Sequence, residues 1–364
     1  MLSKDLPEDL MEEITVRLPV KSLLRFKCVA KSWYAVITNP SFIAKHLERS
    51  NSIAKNQCLK LMFQSPTHQL PPSISLISNR EQPCVIQDLE LPCSKNDLKW
   101  ILPYGQCNGI VFLCGDYEGD VRCLILWNPS TKEVKAIPAS PWQPKGINPT
   151  NFGFGFDPIT KDYKVVRFPI CPLVRREQLL VEVYNLSTNS WRKIDVDDVS
   201  FYESHKYSCV GSYLNGVYHW ICRSLDETDK FIVSFDFSKE VFGIIQSPPG
   251  IASSRSQNNH LSVVDDRLAW AVKHDSIDYR VEIWVMSEYG FESSWTKKFE
   301  IRPFPDAWHI LEFWGHDEIL VYEDDVNRYV LYNFWKQQRQ ILQSHFLRKT
   351  AMDYVESLVC LGGN

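Results

Sequence analysis

The chain has no run of eighteen apolar residues, so no segment is long enough to cross a bilayer as a helix. Lys4, Asp5, Glu8 and Asp9 follow Met1 where a secretory signal would be apolar, and a cytoplasmic or nuclear location is expected. No Cys-x-x-Cys pair occurs. The 11 cysteines are odd in number and scattered, which argues against a disulfide framework and a structural zinc site and points to buried free thiols. Charge of one sign is also scarce, because the net charge is −4 over 364 residues. Residues 1–50 hold eight Lys or Arg against six Asp or Glu, and the remainder holds 32 against 38, a balance that disfavours nucleic acid as a partner. Gly153-x-Gly155 lacks the third glycine and the helix of a dinucleotide site. His219 with Cys222, and His316 with Asp317 and Glu318, lack a third convergent group, so no catalytic site, metal or cofactor is expected.

What is present is 44% hydrophobic and 23% charged, enough for one small module and one large domain. Pro7 suits a first helical position, acidic residues follow it, and Leu10, Ile14 and Leu18 recur every four residues before Pro19 ends the helix. A second helix from near Ser22 places Leu23, Phe26 and Val29 on one side. A third carries Trp33, Val36 and Ile37, and Ser41 is the expected cap of a fourth bearing Phe42, Ile43 and Leu47. Helices this short are marginal alone, so their apolar surplus must be covered either by the large domain, as a cap, or by another chain.

From about residue 55 the pattern changes to short alternating segments such as Val281-Glu282-Ile283-Trp284-Val285, separated by Asn, Asp, Gly, Pro and Ser clusters. Turn anchors recur at 128, 185, 236, 285 and 333, at spacings of 57, 51, 49 and 48. A second marker precedes them by 16 to 20 residues: Asn108-Gly109, Asn215-Gly216, Asp265-Asp266 and His316-Asp317. Two markers with one period near fifty predict propeller blades of a kelch-like kind, about six of them, with a plain β-sandwich as the competing arrangement. A strand near Tyr354–Val359 is expected to close the ring on the first blade.

The expected architecture is thus an α+β multidomain chain. A small helical domain spans 1–48, a linker 49–56, and an all-β propeller 57–364. Specificity is expected in the loops 139–150, 195–206, 223–229, 250–259 and 273–279, with Trp142, Tyr202, His205, Asp226, Arg255 and His274 as candidate contacts. Asp195, Asp197 and Asp198, and Glu323, Asp324 and Asp325, are candidate charges for steering a basic partner.

The run Leu6-Pro7, Leu18-Pro19-Val20-Lys21-Ser22-Leu23, Cys28-Val29 and Lys31-Ser32-Trp33 resembles an F-box. The resemblance implies docking onto a Skp-type adaptor, and through it a cullin scaffold, by Leu6, Pro7, Leu10, Ile14, Leu18, Pro19, Leu23 and Val29, with Trp33 inside the module. Trp127-Asn128-Pro129-Ser130-Thr131, Gly153-Phe154-Gly155-Phe156-Asp157 and Ile283-Trp284-Val285-Met286 resemble the plant F-box-associated domain, closest to the S-locus F-box group. That likeness implies a non-catalytic substrate receptor of a ubiquitin ligase whose target is a protein, by the S-locus likeness a stylar ribonuclease. The alternatives are a propeller enzyme acting on carbohydrate with a helical cap, and an F-box scaffold that does not promote degradation.

Overall fold

The structure is a computed structural model that describes residues 8–57, 59–64, 73–78, 84–91, 98–117, 122–142, 150–169, 180–195, 211–223, 229–251, 259–274, 279–305, 308–342 and 349–362. Four helices come first: α1 (Glu8–Thr15), α2 (Val20–Phe26), α3 (Lys31–Ile37) and α4 (Pro40–Gln57). Pro19, at φ −59° and ψ 149°, separates the first two. The cap of α4 is Asn39 rather than Ser41. Its Oδ1 accepts from the Ser41 backbone N–H at 2.9 Å and from the Ser41 hydroxyl at 2.8 Å, with Pro40 in the first helical position. The segment expected as a linker, 49–56, is the C-terminal part of α4. Val16, Val20, Leu23, Ile37 and Phe42 form the module's core, and the Phe26 and Trp33 rings pack 5.0 Å apart beside it.

Six four-stranded antiparallel sheets follow. Blade one holds β1 (Lys60–Gln64), β2 (Ser73–Ser78) and β3 (Cys84–Leu89); blade two holds β4 (Leu98–Cys107), β5 (Ile110–Tyr117), β6 (Arg122–Asn128) and β7 (Glu133–Ile137). Blade three is β8 (Thr150–Asp157), β9 (Asp162–Pro169), β10 (Val181–Asn185) and β11 (Ser190–Ile194). Blade four is β12 (Ser212–Leu214), β13 (Val217–Arg223), β14 (Lys230–Asp236) and β15 (Val241–Gln246). Blade five is β16 (Asn259–Val264), β17 (Arg267–His274), β18 (Arg280–Met286) and β19 (Trp295–Ile301). Blade six is β20 (Trp308–Trp314), β21 (Glu318–Glu323), β22 (Arg328–Asn333) and β23 (Gln338–Leu342).

The ring is closed by β24 (Lys349–Asp353), which pairs with β1 as the innermost strand of blade one. The expected closing segment lies just beyond it. Tyr354–Leu361 instead runs as a tail under blade two, where Asn128 Nδ2 donates to the carbonyls of Ser357 at 3.1 Å and Val359 at 2.8 Å. The tail continues into both domains, since Leu358 joins the helical core and Leu361 joins the core between blades two and three.

The sequence markers have a mechanical basis. Asn108, Asn215, Asp265 and Asp266 all have φ between 47° and 56°, the left-handed region that tight hairpins need and that Asn, Asp and Gly tolerate. The anchors at 128, 236 and 333 end the third strand of their blades, where the side-chain oxygen accepts N–H bonds from the turn that follows, such as Ser130 to Asn128 and Ser238 to Asp236, both at 2.9 Å. Gly155, in the strand that lines the axis of blade three, has the rings of Phe237 and Tyr213 within 2.6 Å of where a Cβ would sit. That close approach, not phosphate binding, explains its neighbourhood of glycines.

Blade three is bolted to blade four by a buried lysine. Lys164 Nζ donates to Asp157 Oδ2 at 2.7 Å, to the Phe237 carbonyl at 2.9 Å and to Glu240 Oε1 at 2.9 Å. Desolvation opposes the charge on both Lys164 and Asp157, but the hydrogen bonds between them and to Ser238 and Thr160 win, so Lys164 is raised and Asp157 is held far below the usual carboxylate range.

Candidate functional site

Antiparallel blades sort their connections between two ends of the ring. At one end lie the hairpins between first and second strands; there Asn108, Asn215, Asp265 and His316 surround an axial cavity of about 340 Å3 with Asn51 and Ala54 of α4 beside them. The C-terminal part of α4 therefore borders the cavity at this end of the ring.

The strands that lead into all five candidate loops, β7, β11, β13, β15 and β17, end at the opposite face of the ring. Tyr202, His205, Asp226 and Arg255 lie outside the described residues. Trp142 is exposed at this face, with Lys193 Nζ 5.0 Å from its ring centroid. His274 is drawn inward, its Nε2 3.4 Å from Glu282 Oε2; burial first, and then Arg280 and Lys230, lower its pKa against the pull of that carboxylate.

On the helical module the expected contacts divide. Leu10 is 48% exposed, Ile14 50% and Val29 68%, and Pro19 is also exposed. Leu18 is half-buried. Leu23 is fully buried in the module core, which corrects its reading as a contact: the break at Pro19 resets the helical phase, so the stripe of α1 does not continue into α2. Leu6 and Pro7 lie outside the described residues. Trp33 is half-buried against the core, and Tyr34, not singled out from sequence, is 57% exposed.

The groups weighed as catalytic bond within and between the blades. His219 is fully buried. The Ser212 carbonyl can only accept, so Nδ1 carries the proton toward it at 2.9 Å and Tyr289 OH donates to Nε2 at 2.8 Å. Burial outweighs the Ser212 bond and lowers the His219 pKa to about 4. The unfolded chain therefore takes up this proton first, so the associated stability is present above about pH 6.5 and falls between there and pH 4, by about 3 kcal/mol. Urea titrations at pH 7 and pH 5 are expected to show the loss, and His219→Gln, which keeps one donor and one acceptor, is expected to shrink it.

His316 pairs with Asp265 at 2.8 Å in exposed turns, while Asp317 and Glu318 receive the Asn333 amide. Of the acidic run at 323–325, Glu323 is buried against Arg328 and Asp324 faces His309, so little of it is left for steering. Asp195 ends the described part of the other run.

The axis is charged. Glu312 Oε1 lies 3.1 Å from His260 Nε2, and buried Lys60 is bonded to Asp353. Burial would raise Glu312, but His260, Lys60 and Ser262 outweigh it and hold the carboxyl down at about 2. Asp353, half exposed in the cavity, is raised by desolvation and by Glu312 against Lys60. Among the described residues no group of three or more His, Cys, Asp or Glu side chains is placed to hold a metal ion. No described helix is long and apolar enough to cross a membrane.

Comparison with known families decides what the module is. Residues 4–45 match the F-box domain, and residues 61–361 match the F-box associated beta propeller domain. The chain is an F-box protein. Its relatives in Arabidopsis thaliana include an F-box/kelch-repeat protein, 27% identical over 90% of this chain and 88% of its own. F-box protein CPR1 is 27% identical over 82% and 73%, and F-box/WD-40 repeat-containing protein 1 is 29% identical over 90% and 76%. Among solved structures, TolB from Acinetobacter baumannii aligns over 86% of this F-box protein and 72% of its own chain, at 12% identity and TM-score 0.44. An F-box domain implies a Skp-type adaptor as partner.

Proposed function

We propose that this F-box protein is the substrate-recognition subunit of a Skp–cullin–F-box ubiquitin ligase, working in the cytoplasm or nucleus. The F-box binds the adaptor, the propeller holds the target, and the subunit itself performs no chemistry; it raises the effective concentration of the target near the ubiquitin-transferring subunits. The observation that carries this reading is the exposed stripe of Leu10 and Ile14 on a matched F-box, set at one end of a ring whose long loops leave from the other. A helix-in-groove contact uses such four-residue anchors. The test is co-elution with a purified Skp-type adaptor, followed by reconstitution of the whole ligase. A 1:1 complex that ubiquitinates a captured protein supports the reading, and a chain that elutes alone beside a working F-box control removes it.

The likeness to S-locus F-box proteins adds a narrower reading, in which the target is a secreted stylar ribonuclease. Capture from style extract tests it; absence of any ribonuclease among the bound proteins would count against it. One observation favours a second class: Glu312 and Asp353 are pushed in opposite directions, as in acid–base pairs. Glu312 is tied to the His260 ring and Asp353 to Lys60, however, and the low value of Glu312 suits no general acid at neutral pH. Hydrolysis of a glycoside panel that Glu312→Gln abolishes would be needed to revive it.

A further inference from the structure

Between the F-box and blade one runs a groove of about 550 Å3. One wall is Leu18 and Pro19 with Ile53 of α4; the other is Leu59 with Leu76 of β2 and Ile86 of β3. Ile53 and Ile86 stay exposed, one on each domain. Arg17 and Arg49, also in the lining, are exposed and have no ion pair among the described residues. The groove is thus apolar within and positive at its F-box side, with Glu356 of the tail as a single opposing charge.

From this arrangement we infer that the adaptor does not stop at the F-box: an acidic, apolar-bearing segment of the same adaptor continues into the groove and touches blade one. The inference rests on the proposed adaptor role. Three features of the molecule support it. Leu18, in the turn just after α1 and half-buried, lines the groove, so the groove opens at the end of the helix whose exposed face carries Leu10 and Ile14. Ile53 on the F-box side and Ile86 on blade one are 37% and 53% exposed, so both walls of the groove offer apolar surface to one occupant. The guanidiniums of Arg17 and Arg49, without an ion pair among the described residues, select an acidic occupant over a neutral or basic one.

The full-length protein tests this by calorimetric titration with purified Skp-type adaptor. Ile86→Asp, on the outermost strand of blade one, is expected to weaken binding about tenfold. Arg49→Glu is expected to weaken it several-fold and to flatten its dependence on salt. Leu10→Asp with Ile14→Asp is the benchmark and is expected to lose binding altogether. If the benchmark loses binding while Ile86→Asp and Arg49→Glu bind as the parent does, the groove is unused and the inference fails. If the parent protein itself shows no binding, the adaptor role fails instead. Hydrogen exchange on the unaltered protein decides independently of any folding defect: amides of 84–89 slow in the complex if the segment docks there, and unchanged exchange overturns it.

Discussion

Leu10→Asp combined with Ile14→Asp is expected to weaken adaptor binding at least a hundredfold while leaving the melting curve of the protein in place. Both side chains are about half exposed on α1, so replacing them removes little from the folded chain. In a complex, each would place a desolvated carboxylate in an apolar groove, a cost of several kcal/mol that water no longer offsets. Leu23→Ala should behave in the opposite way. Its side chain belongs to the module core, so truncation is expected to cost about 2–5 kcal/mol in F-box stability and to affect adaptor binding only through unfolding. Binding and melting measured on both variants separate an interface residue from a core residue, and equal behaviour would sink the division drawn here.

The second large effect is expected at Lys164. Truncation to Ala leaves Asp157 buried without its cation, and Glu240 keeps only Arg192. Losing one member of a buried pair costs about 3–5 kcal/mol, read here as a fall in the urea midpoint of tryptophan fluorescence. Lys164→Met with Asp157→Asn removes the stranded charge while retaining an oxygen for the turn N–H of Ile159, and at least half the loss should return. Because Asp157 is held low and Lys164 is raised, the parent protein has this stabilisation in full at neutral pH and loses it progressively as pH falls through and below the ordinary carboxylate range, where the unfolded chain takes up the proton first, whereas the single variant lacks it even at neutrality. A Lys164→Ala protein as stable as the parent would show that the blades need no such bolt.

Much of the propeller was legible because its turns leave the chain few choices. A hairpin with φ near 50° at successive positions selects Asn, Asp or Gly, and those residues recur at the period of the blades. Closure was misread by a few residues for a related reason. Tyr354–Val359 alternates as a strand does, but only tertiary context tells whether an extended apolar run pairs in a sheet or lies under it. The continuation of α4 was hidden by polar residues such as Arg49, Ser50, Asn51 and Ser52 within the segment 49–56 read as a linker, although His46 just before it is buried and bonded to the Leu18 carbonyl at 2.9 Å. The shared face of the five loops follows from strand direction alone, which no single loop reveals. Packing on the large domain covers only part of the module's apolar surface: Leu23 and its neighbours meet Leu358, while Leu10 and Ile14 face outward.

The tail that joins the two domains has a consequence for synthesis. The residue that closes the ring against Lys60 is 293 positions downstream of it, and Leu358, which finishes the F-box core, follows later still. An emerging chain displays its F-box helices early but cannot pack them fully until residue 358 has left the ribosome. A chain cut short before its last strand would lack both the strand that closes the ring and the Leu358 contact of the F-box core.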